Sequence, residues 1–175
     1  MGYTKHMLAE AGINENDTVQ DGKRGDQVGY ELRAIYHHTF DWTHVYRAKE
    51  ESVREKIADF MERAVINGYI GYSQGDERNT LFRELQKIGF KVETLNTHAH
   101  CDCSALAYCA IYNAIGIPFD QTDPSIAPRT KNYVDYLGST NKFDDITSDD
   151  YLGTMDNLVR GDIVFKPTVH VAVFI

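Results

Sequence analysis

Three cysteines, Cys101, Cys103 and Cys109, crowd into the stretch HAHCDCSALAYCAIYNAIG, and one of them stands where a thiol could act as a nucleophile. From Cys103 onward, Leu106, Ala107, Ala110, Ile111 and Ala114 fall on one face at helical spacing, and Gly116 with Pro118 ends the run. A thiol in the first turn of a helix meets unpaired backbone N–H groups and the positive end of the helix dipole, which favour a thiolate and can also hold an oxyanion. Such a nucleophile needs a histidine within hydrogen-bond reach. His170 is the candidate, at the start of the apolar strand HVAVFI that follows the strand GDIVFK. Cys109, on the apolar face of the same helix, reads as a small core residue. Polar Asp102 and Ser104 set Cys103 apart from it.

The same stretch admits a second chemistry. His98, His100, Cys101 and Cys103 offer nitrogen and sulfur donors of the softness that zinc prefers. Structural zinc sites draw ligands from two separated pairs, however, and a closed site would take Cys103 out of nucleophilic use. Zinc held by His98, His100 and Cys101 alone would leave the thiol chemistry intact. Asp144, Asp145, Asp149 and Asp150 lack the glycine spacing and closing glutamate of an EF-hand and read as a solvated loop. No cofactor is expected.

The elements that must position these groups are partly readable. Val53, Ile57, Phe60, Met61, Ala64 and Val65 recur at helical spacing from Ser52, and a second helix is expected from Asp76, as N-cap, through Leu81, Leu85 and Ile88 to Gly89. Phe90 to Leu95 reads as a short strand, and Asn132 to Leu137 as a short helix. Tyr30, Leu32, Ala34 and Tyr36 alternate in the manner of a strand. Asp162 to Lys166, the turn at Pro167, and Val169 to Ile175 form a β-hairpin. The polar first segment, residues 1–24, is expected to wrap the surface or fray.

Length and composition bound the rest. The 175 residues suit one domain, and a 42% hydrophobic content is enough for a core. A net charge of -8 with no Lys/Arg cluster argues against nucleic acid as a partner. No apolar run approaches the roughly 20 residues of a membrane span, and the N-terminus has no apolar leader, so synthesis in the cytoplasm without a signal peptide is expected.

Asp102-Cys103-Ser104 at a helix start, then Arg160-Gly161-Asp162-Ile163, then His170-Val171-Ala172, resembles the NlpC-type and CHAP-type cell-wall amidases and endopeptidases. Upstream, Gly25-Asp26-Gln27 with Gly29 and Glu31, Trp42 to Arg47, and Ile70-Gly71-Tyr72 with Gln74 and Arg78 resemble what precedes the cysteine in lysins of phages that infect Gram-positive bacteria. The resemblance implies an α+β, papain-like catalytic domain over 25–175, with the cysteine helix packed on an antiparallel sheet and helices preceding it as an N-terminal extension. It implies a peptidoglycan hydrolase that cuts an amide of cell-wall stem peptides through an acyl-enzyme. Cys103 would be the nucleophile, His170 its base, and Asp102, Ser104 and Tyr72 substrate-binding. Members of that family carry a third polar residue on the strand after the histidine strand, to orient the imidazole. Here the sequence stops at Ile175 within an apolar strand, so that residue is expected beyond 175, in a domain shortened at its C-terminus, unless an earlier segment fills the place. An inactive papain-like module that binds peptide without cutting it is the remaining reading.

Overall fold

The structure, a computed structural model, describes residues 7–20, 22–23, 31–36, 41–154 and 156–175. Tyr30 and the Gly25 to Gly29 part of the resemblance lie outside them. Among the described residues, five helices accompany a six-stranded antiparallel sheet, the α+β class expected. The sheet strands are β1 (Met7–Ala11), β2 (Leu32–Tyr36), β3 (His44–Ala48), β6 (Phe143–Asp145), β7 (Ile163–Lys166) and β8 (His170–Phe174), in the order β2-β1-β8-β7-β3-β6. A separate parallel pair joins β4 (Ile70–Tyr72) to β5 (Ala99–Cys101). The helices are α1 (Glu51–Ala64), α2 (Thr80–Lys87), α3 (Cys103–Ile115), α4 (Tyr133–Thr140) and α5 (Asp149–Leu152). None is long and apolar enough to cross a membrane.

Strand alternation splits the apolar side chains between two faces. Ala9, Ala11, Val171, Val173 and Ile175 join the main core with α1 and α3, while Leu8, Ala172 and Phe174 join a smaller core with Trp42, Val45 and Leu158. By the same alternation Glu10 and His170 share a face with Leu8, Ala172 and Phe174.

Several expectations are corrected. Residues 7–11 do not wrap the surface: β1 lies inside the sheet between β2 and β8, with Leu8, Ala9 and Ala11 fully buried. An earlier segment therefore takes the place beside the histidine strand that was expected to come from beyond residue 175. The helices before Cys103 share its core: α1 buries Ile57, Ala58, Phe60 and Met61 with the residues of α3. Phe90 to Leu95 is no strand. Phe90 takes a left-handed φ of 61°, packs on Phe82 and Tyr112, and leads into a 3-10 turn at Val92–Thr94. Asp76 opens a 3-10 turn, Asp76–Asn79, from which α2 continues.

The segment Arg160 to Ile163 docks the hairpin. Arg160 reaches Glu55, Asp59 and Glu62 of α1, and Asp162 takes a two-pronged bond from Arg47 of β3, Nε to Oδ1 at 2.9 Å and Nη2 to Oδ2 at 2.6 Å. Gly161 stands between them at a φ of 88°, where a Cβ would come within 2.3 Å of the Arg54 carbonyl oxygen. Only glycine meets both conditions.

Candidate active site

α3 begins at Cys103 because Asp102 caps it, its carboxylate Oδ1 accepting from the N–H of Ala105 at 2.7 Å. The N–H groups of Cys103 and Ser104, in the first turn, have no intrahelical partner. Gly116, with a φ of 67°, closes the helix. Cys101 and Cys109 are wholly buried, and burial pushes both thiols up. Cys103 instead lines a cavity of about 330 Å³ with Gln74, Asp102, Ser104, Arg129, Thr130, Lys131, Thr168 and Val169.

The hairpin brings His170, the first residue of β8, to the thiol. Burial pulls its pKa down, but hydrogen bonding and charge from Cys103 and Glu10 outweigh that and raise it to about 10. The imidazole Nε2 lies 2.8 Å from Glu10 Oε2, which leaves Nδ1 as the nitrogen available to sulfur. Trp42 stacks on the ring, centroids 6.0 Å apart. The other Glu10 oxygen accepts from Arg33, Nε at 2.9 Å and Nη2 at 2.7 Å, across the β1–β2 register that sets Glu10 opposite Arg33. Glu10 is only 1% exposed. Burial raises its pKa, yet bonding and charge from His170 and Arg33 bring the net shift below the usual value, so it stays a carboxylate. The residues thus form a chain from thiol to imidazole to carboxylate to guanidinium.

The family model for an endolysin-like domain matches residues 8–175. The chain belongs to the endolysin-like domain family. Membership implies a lysin-like function directed at the cell wall. No curated protein and no solved structure matches the chain significantly.

In this endolysin-like domain Tyr72 is also near the thiol. It lines a second cavity with Glu10, Arg33, Val169 and His170, its hydroxyl accepts from Gln74 Nε2 at 2.9 Å, and burial, then the charge of Cys103, raises its pKa. Asp102 and Ser104 line the Cys103 cavity, but their polar atoms are committed inward. Asp102 accepts from buried Arg78, Nε to Oδ2 at 2.6 Å and Nη2 to Oδ1 at 3.0 Å, while Ser104 Oγ donates to Asp102 Oδ1 at 2.7 Å and accepts from Arg78 Nη2 at 2.8 Å. Arg78 further donates to the carbonyls of Ala127 and Pro128, which fixes the segment carrying Arg129 against α3.

His98, His100 and Cys101 do not converge. Alternation along β5 turns Cys101 away from His100, whose Nδ1 faces Glu77 Oε2 at 3.2 Å, and exposed His98 packs on Tyr69. Among the described residues no group of three or more His, Cys, Asp or Glu is placed to hold a metal ion.

Glu10, Arg33 and the inward role of Arg78 escape a sequence reading. A signal for Glu10 was present: it is the one charged residue in the apolar stretch MLAEA.

Proposed function

We propose that the protein is a cysteine amidase or endopeptidase of the NlpC or CHAP kind that hydrolyses an amide bond of peptidoglycan stem peptides. The observation that carries this reading is that His170 interacts both with Cys103, which lines an open cavity, and with buried Glu10. The sulfur of Cys103 attacks the carbonyl carbon of the scissile amide. The N–H of Cys103, with the dipole of α3 behind it, faces the negative charge that develops on oxygen. His170, protonated at neutral pH, gives its proton to the leaving amine as the C–N bond breaks, and a thioester remains on Cys103. The neutral imidazole then takes a proton from water, whose oxygen attacks the thioester carbonyl. The carboxylate product leaves, and the thiolate and imidazolium are restored. Glu10 holds the ring and stabilises its charge throughout, a positioning role like that of the third member of a triad. The binding-only reading rested on the lack of an orienting residue, and Glu10 supplies one.

Alkylation with iodoacetamide at neutral pH, with modified cysteines assigned by mass spectrometry and clearing of Gram-positive cell walls followed alongside, tests the proposal. Cys103 is expected to react first, with Cys101 and Cys109 protected, and Cys103→Ala to lower lysis by about 1,000-fold or more. Equal labelling of Cys103 and Cys109 in the folded protein, or lysis that survives Cys103→Ala, would sink it.

A further inference from the structure

The cavity beside Cys103 carries an unexpected charge. The whole chain bears a net charge of -8, yet among the residues lining this cavity Asp102 is the one acid, against Arg129 and Lys131. Asp102 does not balance them, because its carboxylate already lies on the buried guanidinium of Arg78. An amine arriving at Asp102 would meet a neutralised pair and two further cations. Arg129 is anchored but not spent: it lies 3.3 Å from Asp102 Oδ2 and 3.4 Å from the Gln74 carbonyl, at the long end of hydrogen bonding, and its side chain is 51% exposed. Lys131 has no carboxylate partner among the described residues. Between them Thr130 is buried in the cavity wall, and Cys103 and Ser104 from the first turn of α3 line the same cavity.

We propose that this cavity is a carboxylate subsite, in which Arg129 and Lys131 hold an anionic group of the substrate peptide next to the amide to be cut. The proposal rests on the hydrolase reading for what the substrate is, and departs from the expectation that Asp102 and Ser104 take a free amine. A guanidinium fork matches a carboxylate in two parallel bonds, and a cleft with low-dielectric walls strengthens the attraction over that of an open surface. In a stem peptide two groups have this chemistry: the free α-carboxylate of a γ-linked D-glutamate and the C-terminal carboxylate.

The two sources separate in a binding measurement on protein that cannot cut. Cys103→Ala protein is titrated calorimetrically with N-acetyl-L-Ala-γ-D-Glu-L-Lys-D-Ala, with its counterpart in which the α-carboxylate is a carboxamide, and with its C-terminal amide. The diacid is expected to bind about tenfold more tightly than one of the two amides, and that amide names the carboxylate that is held. Adding Arg129→Gln and Lys131→Gln should erase the preference while leaving the melting temperature unchanged, and in otherwise wild-type protein the same pair should raise KM with little change in kcat. Equal affinity for all three peptides, no detectable binding of the diacid, or a preference that persists in the double variant overturns the subsite. Since the titration does not depend on turnover, failure here leaves the nucleophile at Cys103 standing, and failure of hydrolysis leaves the titration readable.

Discussion

Of the three thiols, two are sealed in the core and one faces a cavity with an imidazole beside it, so surroundings rather than residue type decide which can react. His170 is the pivot. With its pKa raised to about 10 through Cys103 and Glu10, the ring stays charged across the neutral range. If imidazolium is the form that protonates the leaving amine, kcat/KM holds steady through neutral pH and falls as pH rises through about 10. Glu10→Gln keeps the shape and an oxygen that can accept from Nε2, but removes the negative charge. The alkaline limb should then move down by about 1 unit or more, with kcat lowered about 10-fold to 100-fold. The pH profile of kcat/KM for both proteins checks this. A Glu10 that served packing alone would depress activity at every pH and leave the limb where it was. Cys103 and His170 were legible because each announces itself locally, one by a helix start and one by a strand start. Glu10 was not, because it lies 160 positions from its partner and only the order of strands brings the two together.

At the scale of elements, the α3 N-terminus is held by a cation that sequence spacing alone does not assign to it. Arg78 sits in the 3-10 turn before α2 and is 4% exposed, with Asp102, Ser104 and the carbonyls of Ala127 and Pro128 as acceptors. One side chain thus ties together the turn before α2, the start of α3 and the segment that leads to Arg129. Arg78→Met fills much of the same space but strands a buried carboxylate without its counter-charge. The expected loss is about 3–5 kcal/mol of stability, read from urea unfolding, and Arg78→Lys should recover only part of it because an ammonium cannot offer the fork. A loss under about 1 kcal/mol would mean that Asp102 is solvated or partnered by Arg129 instead. The segment Arg160-Gly161-Asp162-Ile163 gives the complementary lesson. It was noticed as part of a resemblance, and its physical content turns out to be docking: ion pairs to α1, a fork from Arg47 and a glycine pressed against the Arg54 carbonyl.

Over the whole molecule, helices and the closing hairpin could be read from periodicity because their signals are local: α3 spans Cys103–Ile115 as its apolar face required, and β7 and β8 flank the turn at Pro167. The placement of β1 could not, since a five-residue strand with one glutamate carries too little pattern to show that it sits mid-sheet. The loop after β1 is tied down by a contact with its own pH dependence. Glu31, wholly buried just before β2, accepts from the Glu15 N–H at 2.8 Å. Burial, then a hydrogen bond to the Glu15 carboxyl, raises its pKa to about 8, so the two acids share a proton at neutrality. A carboxyl whose folded pKa is raised binds more protons folded than unfolded, so its contribution is complete below the ordinary value of 4.5 and is lost as pH rises through about 8. The Glu10–His170 pair adds its own windows: the depressed Glu10 pKa loses its contribution only in acid, whereas the raised His170 pKa loses its contribution from the ordinary value of 6.5 up to about 10, overlapping the upper part of the Glu31 window. Melting temperature should therefore fall between pH 6 and pH 8.5 in the wild type and fall less steeply in Glu31→Gln, whose amide can donate permanently to Glu15 and which keeps only the His170 contribution. Ile13 and Val19 of this loop line the cavity that holds Glu10 and His170, so loosening of the loop would reach the cleft before the sheet unfolds. Melting curves that fall equally steeply in the two proteins would mean that Glu31 is already ionised and that the loop is held some other way.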